Sequence, residues 1–373
     1  MHSNDDSCGF TRESVSYAAG MKVARVLAAV AVVGASAVGG GVGHVRAMED
    51  PLQVGVDERF ELFSLLSRLA GAPEYVVAAT PYARAADEWF APSADDAAVV
   101  TLQGLRADHG VSYDAALTLA AQLDDDLQLV RPLTPWPDGL DLRWDGVEIE
   151  AFLDEVRTFA TTSRFDEFLA SAAEYTSDVE EGFSAFIADR LIVTWFDEHF
   201  AVRDDADYRV VPGLLTGDMS YGIHAGSNEI FAVVGLESPD AGGLPTLGPL
   251  SEELLVHELA HSYVNPIVKA NLDAFAGSSP ALVAAADAMA SQAYPTLEIV
   301  VDESIVRAVT ILYLRDEVDD AAADASLADQ QQRGFAWMPA LVDALDASRT
   351  DGWTDGWTDT ELVSATVDVL GLA

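Results

Sequence analysis

The chain has 373 residues, with 62 aspartates and glutamates against 20 lysines and arginines, a formal net charge of −42 and 50% hydrophobic content. That much apolar material supports a packed core rather than a disordered acidic chain, and the length suits one large or two moderate domains. So negative a surface repels nucleic-acid phosphates and anionic lipid heads, which excludes nucleic acid as a partner; it also calls for counterions, as in a protein adapted to high salt or a very acidic extracellular one.

Residues 1–47 are expected to be a leader. Met21, Lys22 and Arg25 precede the apolar run 26–38, which gives way to Gly39-Gly40-Gly41 and then Val45-Arg46-Ala47. A charged start, an apolar stretch and a small-residue exit make the pattern of an export signal cleaved after Ala47, with Met21 as an alternative initiator. The apolar run is shorter than the roughly 20 residues that span a bilayer, so no stable membrane insertion is expected after cleavage, an uncleaved N-terminal anchor being the lesser alternative. The mature protein is therefore expected in the periplasm or outside the cell. The single cysteine, Cys8, lies upstream of the apolar run, so no disulfide staples the remainder and no thiol serves there as ligand or nucleophile.

Helical spacing begins over 57–69, where Phe60, Phe63, Leu66 and Leu69 recur on one side and Gly71 and Pro73 close the run. Further helical patterns cover 82–91, 111–124, 150–159 and 164–200, the last rich in aromatic residues that suit a core. The period then changes. Residues 208–211 and 229–235 are expected as neighbouring strands, with a loop between them that holds Gly213, Gly217, Gly222 and Gly226 and carries His224. The proline- and glycine-rich stretch 238–249 is a connector. Ser251 is expected to cap a helix over 252–264 that Asn265-Pro266 stops. Ser279-Pro280 opens another helix, a third runs over 297–316, and 319–331 is an acidic, alanine-rich loop or frayed helix. The tandem repeat at 351–358 makes a turn whose tryptophans seal a seam, after which Thr358 and Glu361 form a capping box for a C-terminal helical extension. The expected fold is α+β and mostly helical, with residues 48–373 as one unit and a small sheet beside the helix at 252–264.

That helix holds the chemistry. In His257-Glu258-Leu259-Ala260-His261, residues four apart share a face, so both imidazoles reach one ion while Glu258, one step round, addresses a water at that ion. A third ligand must come from elsewhere, because no histidine follows shortly after His261. Glu303 is the candidate, with Arg307 one turn on to hold its other oxygen; Asp302 and Glu298 are the rivals. Such a site expects Zn2+. Glu258 would take the water's proton and pass it to a departing amine, and a further donor is needed for the oxyanion. His224 is the first choice for that donor, ahead of Tyr221, Tyr263 and Tyr313. The strand 229–235 is a candidate edge for an extended peptide. The bland alternative is a helix whose histidines are satisfied by nearby carboxylates, with Glu303 and Arg307 an ordinary intrahelical ion pair.

The run from His257 to Pro266, His257-Glu258-Leu259-Ala260-His261-Ser262-Tyr263-Val264-Asn265-Pro266, resembles a bacterial family catalogued as domain of unknown function 4932, whose members resemble zincin metallopeptidases. Residues 61–71 with Glu74-Tyr75 look like its opening helix, and Arg164-Phe165-Asp166-Glu167-Phe168 with Tyr175 looks like another of its signatures. The segment Glu303-Ser304-Ile305-Val306-Arg307-Ala308 resembles the place of the third ligand in a gluzincin-type site. The likeness covers most of 52–316, and 319–331 looks like a departure peculiar to this chain. It implies a zincin-like fold, bound zinc, and hydrolysis of peptide or protein substrates. The alternatives are a catalytically silent, zinc-stabilised scaffold or binding protein, and a small-molecule amide or ester hydrolase.

Overall fold

Asp57 starts the first helix by accepting the backbone N–H groups of Arg59 and Phe60 on its carboxylate, and the residues behind it from Phe60 to Ser67 are buried. The computed structural model describes residues 51–372 apart from 77–79, 204, 237–238, 278, 293, 295 and 350–355. The residues 1–47 expected as a leader, Trp353 and most of the tandem repeat lie outside the described residues. Before the sheet come β1 (Gln53–Val54), α1 (Glu58–Leu69), α2 (Pro81–Phe90), α3 (Ala97–His109), α4 (Ala115–Ala120), α5 (Ile149–Thr162), α6 (Phe165–Ser171), α7 (Ala173–Ile187) and α8 (Ile192–His199). The strands β2 (Asp207–Gly213), β3 (Tyr221–Ala225) and β4 (Glu229–Gly235) follow. The chain then runs through α9 (Pro249–Ala270), α10 (Pro280–Ser291), α11 (Leu297–Tyr313), α12 (Asp320–Gln332), α13 (Met338–Ser348) and α14 (Asp359–Leu370). This is a mostly helical α+β fold with one small mixed sheet among the described residues.

The sheet has the order β1-β2-β4-β3. β2 and β4 are neighbours as expected, and they are parallel over their whole length, from Asp207 beside Glu229 to Gly213 beside Gly235. β3 was expected as loop. It is instead a strand antiparallel to β4, with Gly222 opposite Ala232 and His224 opposite Ile230. Its alternation accounts for this: Tyr221, Ile223 and Ala225 are buried while Gly222 and His224 are not. Consequently 229–235 is an inner strand, and the edge at this side of the sheet belongs to β3.

The long aromatic run 164–200 divides into α6, α7 and α8. The breaks let each piece aim its rings at a different neighbour: Phe165 and Phe168 pack on Phe90, whereas Trp195 meets Tyr313 and Phe196 stacks on Tyr263. The run 111–124 yields only the short α4. The acidic stretch at 319–331 is an ordered helix, capped by Asp319 accepting the Ala322 N–H at 2.8 Å. The expected capping box at Thr358 and Glu361 is present, with Glu361 N donating to Thr358 Oγ1 and Thr358 N to Glu361 Oε2.

α9 departs most from expectation. It begins at Pro249, favourable at a first helical position, and Ser251 lies inside it, accepting the Gly248 N–H at 3.1 Å. It also continues past Pro266 to Ala270. A mid-helix proline leaves the carbonyl four residues earlier without its amide donor. Here that carbonyl belongs to Ser262, and Arg203 Nη1 donates to it at 2.8 Å, so the helix passes through the proline.

Candidate metal centre

α9 lies against β3 and β4 on one side and α11 on the other. Leu255, Val256, Leu259, Ala260 and Val264 are buried in these contacts, as are Val301, Ile305, Ala308 and Leu312 of α11. Burial of that apolar surface fixes the rotation of both helices and therefore the direction of the polar residues between them. His257 and His261 from α9 meet Glu303 from α11 at this seam. His257 Nε2 lies 3.7 Å from Glu303 Oε2, and His261 Nε2 lies 3.7 Å from Glu303 Oε1. One donor atom from each residue falls within 4.8 Å of the others. These separations are too long for hydrogen bonds. They suit donors sharing one cation, since ligands about 2.0–2.2 Å from an ion stand roughly 3–4 Å apart. The group could hold a metal ion, and neither Asp302 nor Glu298 joins it.

The chemistry of the donors fits that use. Burial first, and then the positive charge of Arg307, hold His257 well below the ordinary imidazole range, in the neutral form a metal needs. His261 Nδ1 lies 3.1 Å from Asn265 Oδ1, so Nδ1–H donates there and Nε2 keeps its lone pair towards Glu303. Glu303 Oε2 is buried and accepts no well-directed hydrogen bond. Arg307 Nη2 stands 2.8 Å from it as an ion pair, so the expected Glu303–Arg307 partnership is present.

Glu258 is buried one step round from the two histidines. Burial, then the negative charge of Glu303, push its carboxyl well above the usual range, while a hydrogen bond from the Gly222 N–H works the other way. β3 thus presses its backbone onto α9: a Cβ at Gly222 would stand 2.6 Å from the Glu258 carbonyl oxygen, so only glycine fits. Towards its other end β3 is covered, since Gly226 N donates to Asp138 O and Gly139 abuts the His224 carbonyl.

His224 does not belong to the converging group. It sits on β3 with nearly half of its side chain exposed, 3.7 Å from Asp138 Oδ1. Tyr221 is buried and stacked with Tyr75, Tyr263 shares a hydrogen bond with Tyr208, and Tyr313 donates to Glu252. Asp302, on the neighbouring step of α11, is pushed to about 8 by burial and by the charges of Glu298 and Glu303. Two polar neighbours escaped sequence reasoning. Tyr294, whose phenol burial and Glu303 push to about 12, accepts from Arg307 Nη2 at 2.8 Å. Gln330 accepts from Arg307 Nη1 at 2.7 Å. Tyr294 lies in a linker between helices and Gln330 in an acidic stretch, and neither carries a spacing signal.

Fold and site together define an α+β protein with a His-His-Glu group clasped between two packed helices, a buried glutamate beside it and an edge strand laid across it. The chain belongs to the family described as Domain of unknown function (DUF4932), which matches residues 138–351. The matched stretch takes in α9, α11 and the residues 319–331 that looked like a departure; the opening helix at 61–71 lies before it. No curated protein and no solved structure is found to match the chain.

Proposed function

We propose that this chain is a zinc-dependent metallopeptidase of the zincin kind that hydrolyses peptide bonds outside the cytoplasm. The observation that carries the reading is Glu258, a buried acid beside a potential metal group that it does not join. A site built only to stabilise a fold gains nothing from such a group and pays its desolvation. Zinc held by His257, His261 and Glu303 would supply an electrophile for a carbonyl oxygen and lower the pKa of a nearby water.

The remaining work falls to the chain. Glu258, with its raised proton affinity, takes the proton of the attacking water and returns it to the departing amine. Arg307 keeps Glu303 oriented. β3, as the edge strand beside α9, offers main-chain groups around Gly222 to an extended substrate. His224 is kept as the oxyanion donor in this reading because β3 carries it on the same face as Gly222; a His224→Gln variant with unchanged kcat removes it from that role.

The test is direct. Protein purified in high salt is expected to hold about one zinc per chain. Glu258→Gln should retain that metal while cleavage of a peptide library falls by about a hundredfold or more. Cleavage at the wild-type rate in this variant defeats the mechanism, and a metal-free wild-type protein defeats the site.

A further inference from the structure

The inward face of α12 carries no charge, although the helix belongs to a chain with 62 acids. Ala323, Ser326 and Gln330 are buried, while Asp320, Asp324 and Asp329 are exposed. Two hydrogen bonds leave the buried face, and they go to the two helices that carry the metal group. Ser326 Oγ donates to Glu253 Oε1 at 2.6 Å, one turn before His257 on α9. Gln330 Oε1 accepts from Arg307 Nη1 at 2.7 Å inside the protein, one turn after Glu303 on α11.

Arg307 is where these links meet the site. Its Nη2 stands 2.8 Å from Glu303 Oε2 and also donates to Tyr294 at 2.8 Å, and its Cζ lies 5.0 Å from the centre of the Phe335 ring. A guanidinium is a rigid planar fork, so fixing the direction of one terminal nitrogen fixes the other. Gln330 performs that fixing with a neutral acceptor, which leaves Glu303 as the carboxylate paired with the guanidinium.

We propose that Gln330 is a positioning residue for the metal centre: through Arg307 it turns the Glu303 carboxylate towards His257 and His261. The proposal rests on reading those three residues as metal ligands. It makes α12 a brace for the site.

Cobalt(II) is the probe, because its visible bands report the geometry of its ligands, and affinity is read by competition with a chelator on the full folded chain in high salt. Gln330→Met keeps the side chain's bulk and removes the acceptor; it is expected to bind cobalt about tenfold more weakly, with shifted bands. Gln331→Met, at the exposed next position, should match wild type in both readouts. Should Gln330→Met fail to fold, Gln330→Ser, which admits water to the guanidinium without fixing it, carries the same expectation. Wild-type affinity and bands in the folded Met or Ser variant overturn the proposal and leave the ligands standing. A wild-type protein that binds no cobalt overturns the ligand assignment, and the proposal with it.

Discussion

His199 and the pair His257 and His261 are imidazoles packed into the same fold, yet the protein treats them in opposite ways. Around His199 every edge is occupied. Its Nδ1 donates to the Trp195 carbonyl at 2.7 Å, its Nε2 stands 3.3 Å from Arg349 Nη1, and its ring lies on Trp195 with centroids 4.1 Å apart. Trp357 closes the same cluster, its indole donating to the Leu345 carbonyl. The other two rings stand edge to face, 4.9 Å apart, and their Nε2 atoms stop short of hydrogen-bond distance from Glu303. A chain this acidic could have satisfied them with close carboxylates. It has done so with a carbonyl at His199, whereas at the seam of α9 and α11 it holds the carboxylate at the separation a shared cation would set. The contrast separates a histidine that finishes a core from histidines arranged as donors.

The strongest way to break the contrast is to remove a donor. Glu303→Ala or His261→Ala is expected to weaken zinc binding on the order of a thousandfold, measured by chelator competition, whereas His199→Phe should leave it at the wild-type value. A comparable loss in all three would erase the distinction.

Titration sharpens it. Burial, and then the positive charge of Arg349, hold His199 below its ordinary 6.5. The folded state therefore keeps this ring neutral where the unfolded chain would bind a proton. Its contribution to stability is complete above about pH 6.5 and is lost progressively as the pH falls below that value. Thermal unfolding between pH 7 and 5 should show a decline that His199→Gln reduces; an equal decline in both proteins would refute the assignment.

The smallest expected effect belongs to a buried carboxyl. Burial pushes Glu61 up to about 8, with the Leu214 N–H donating to its Oε1 at 3.1 Å. A raised carboxyl contributes stability that is complete below its unfolded value near 4.5 and disappears as the pH rises through about 8. Glu61→Gln should reduce by a few degrees the fall in melting temperature between about pH 5 and 8. An unchanged slope would place the titration elsewhere.

The readable part of this fold was the part governed by local rules. The five-residue spacing at 257–261, the i,i+4 relation of Glu303 and Arg307 and the Thr358 capping box are properties of a single helix, and each appears in the structure as expected. What escaped depended on distant partners. Nothing near Pro266 announces that Arg203 will cover the Ser262 carbonyl, so the helix looked finished there. The strand at 221–225 was hidden by its glycine, which sequence treats as loop and the structure needs for close approach to Glu258. The inward side of α12 was masked by the outward one, because aspartates at solvent positions made the segment look like a loop or frayed helix.

Pro266 lies inside α9. By discarding an amide proton in the turn after the second imidazole, the chain makes that turn answerable to a side chain that arrives just before β2. Asn265, which selects the proton-bearing nitrogen of His261, sits in that same turn. Arg203 is thus a remote tuning screw: replacing it would loosen the end of the helix and blur the choice of tautomer before any ligand had been touched. A lesion there would look, in any assay of the centre, like a fault in His261.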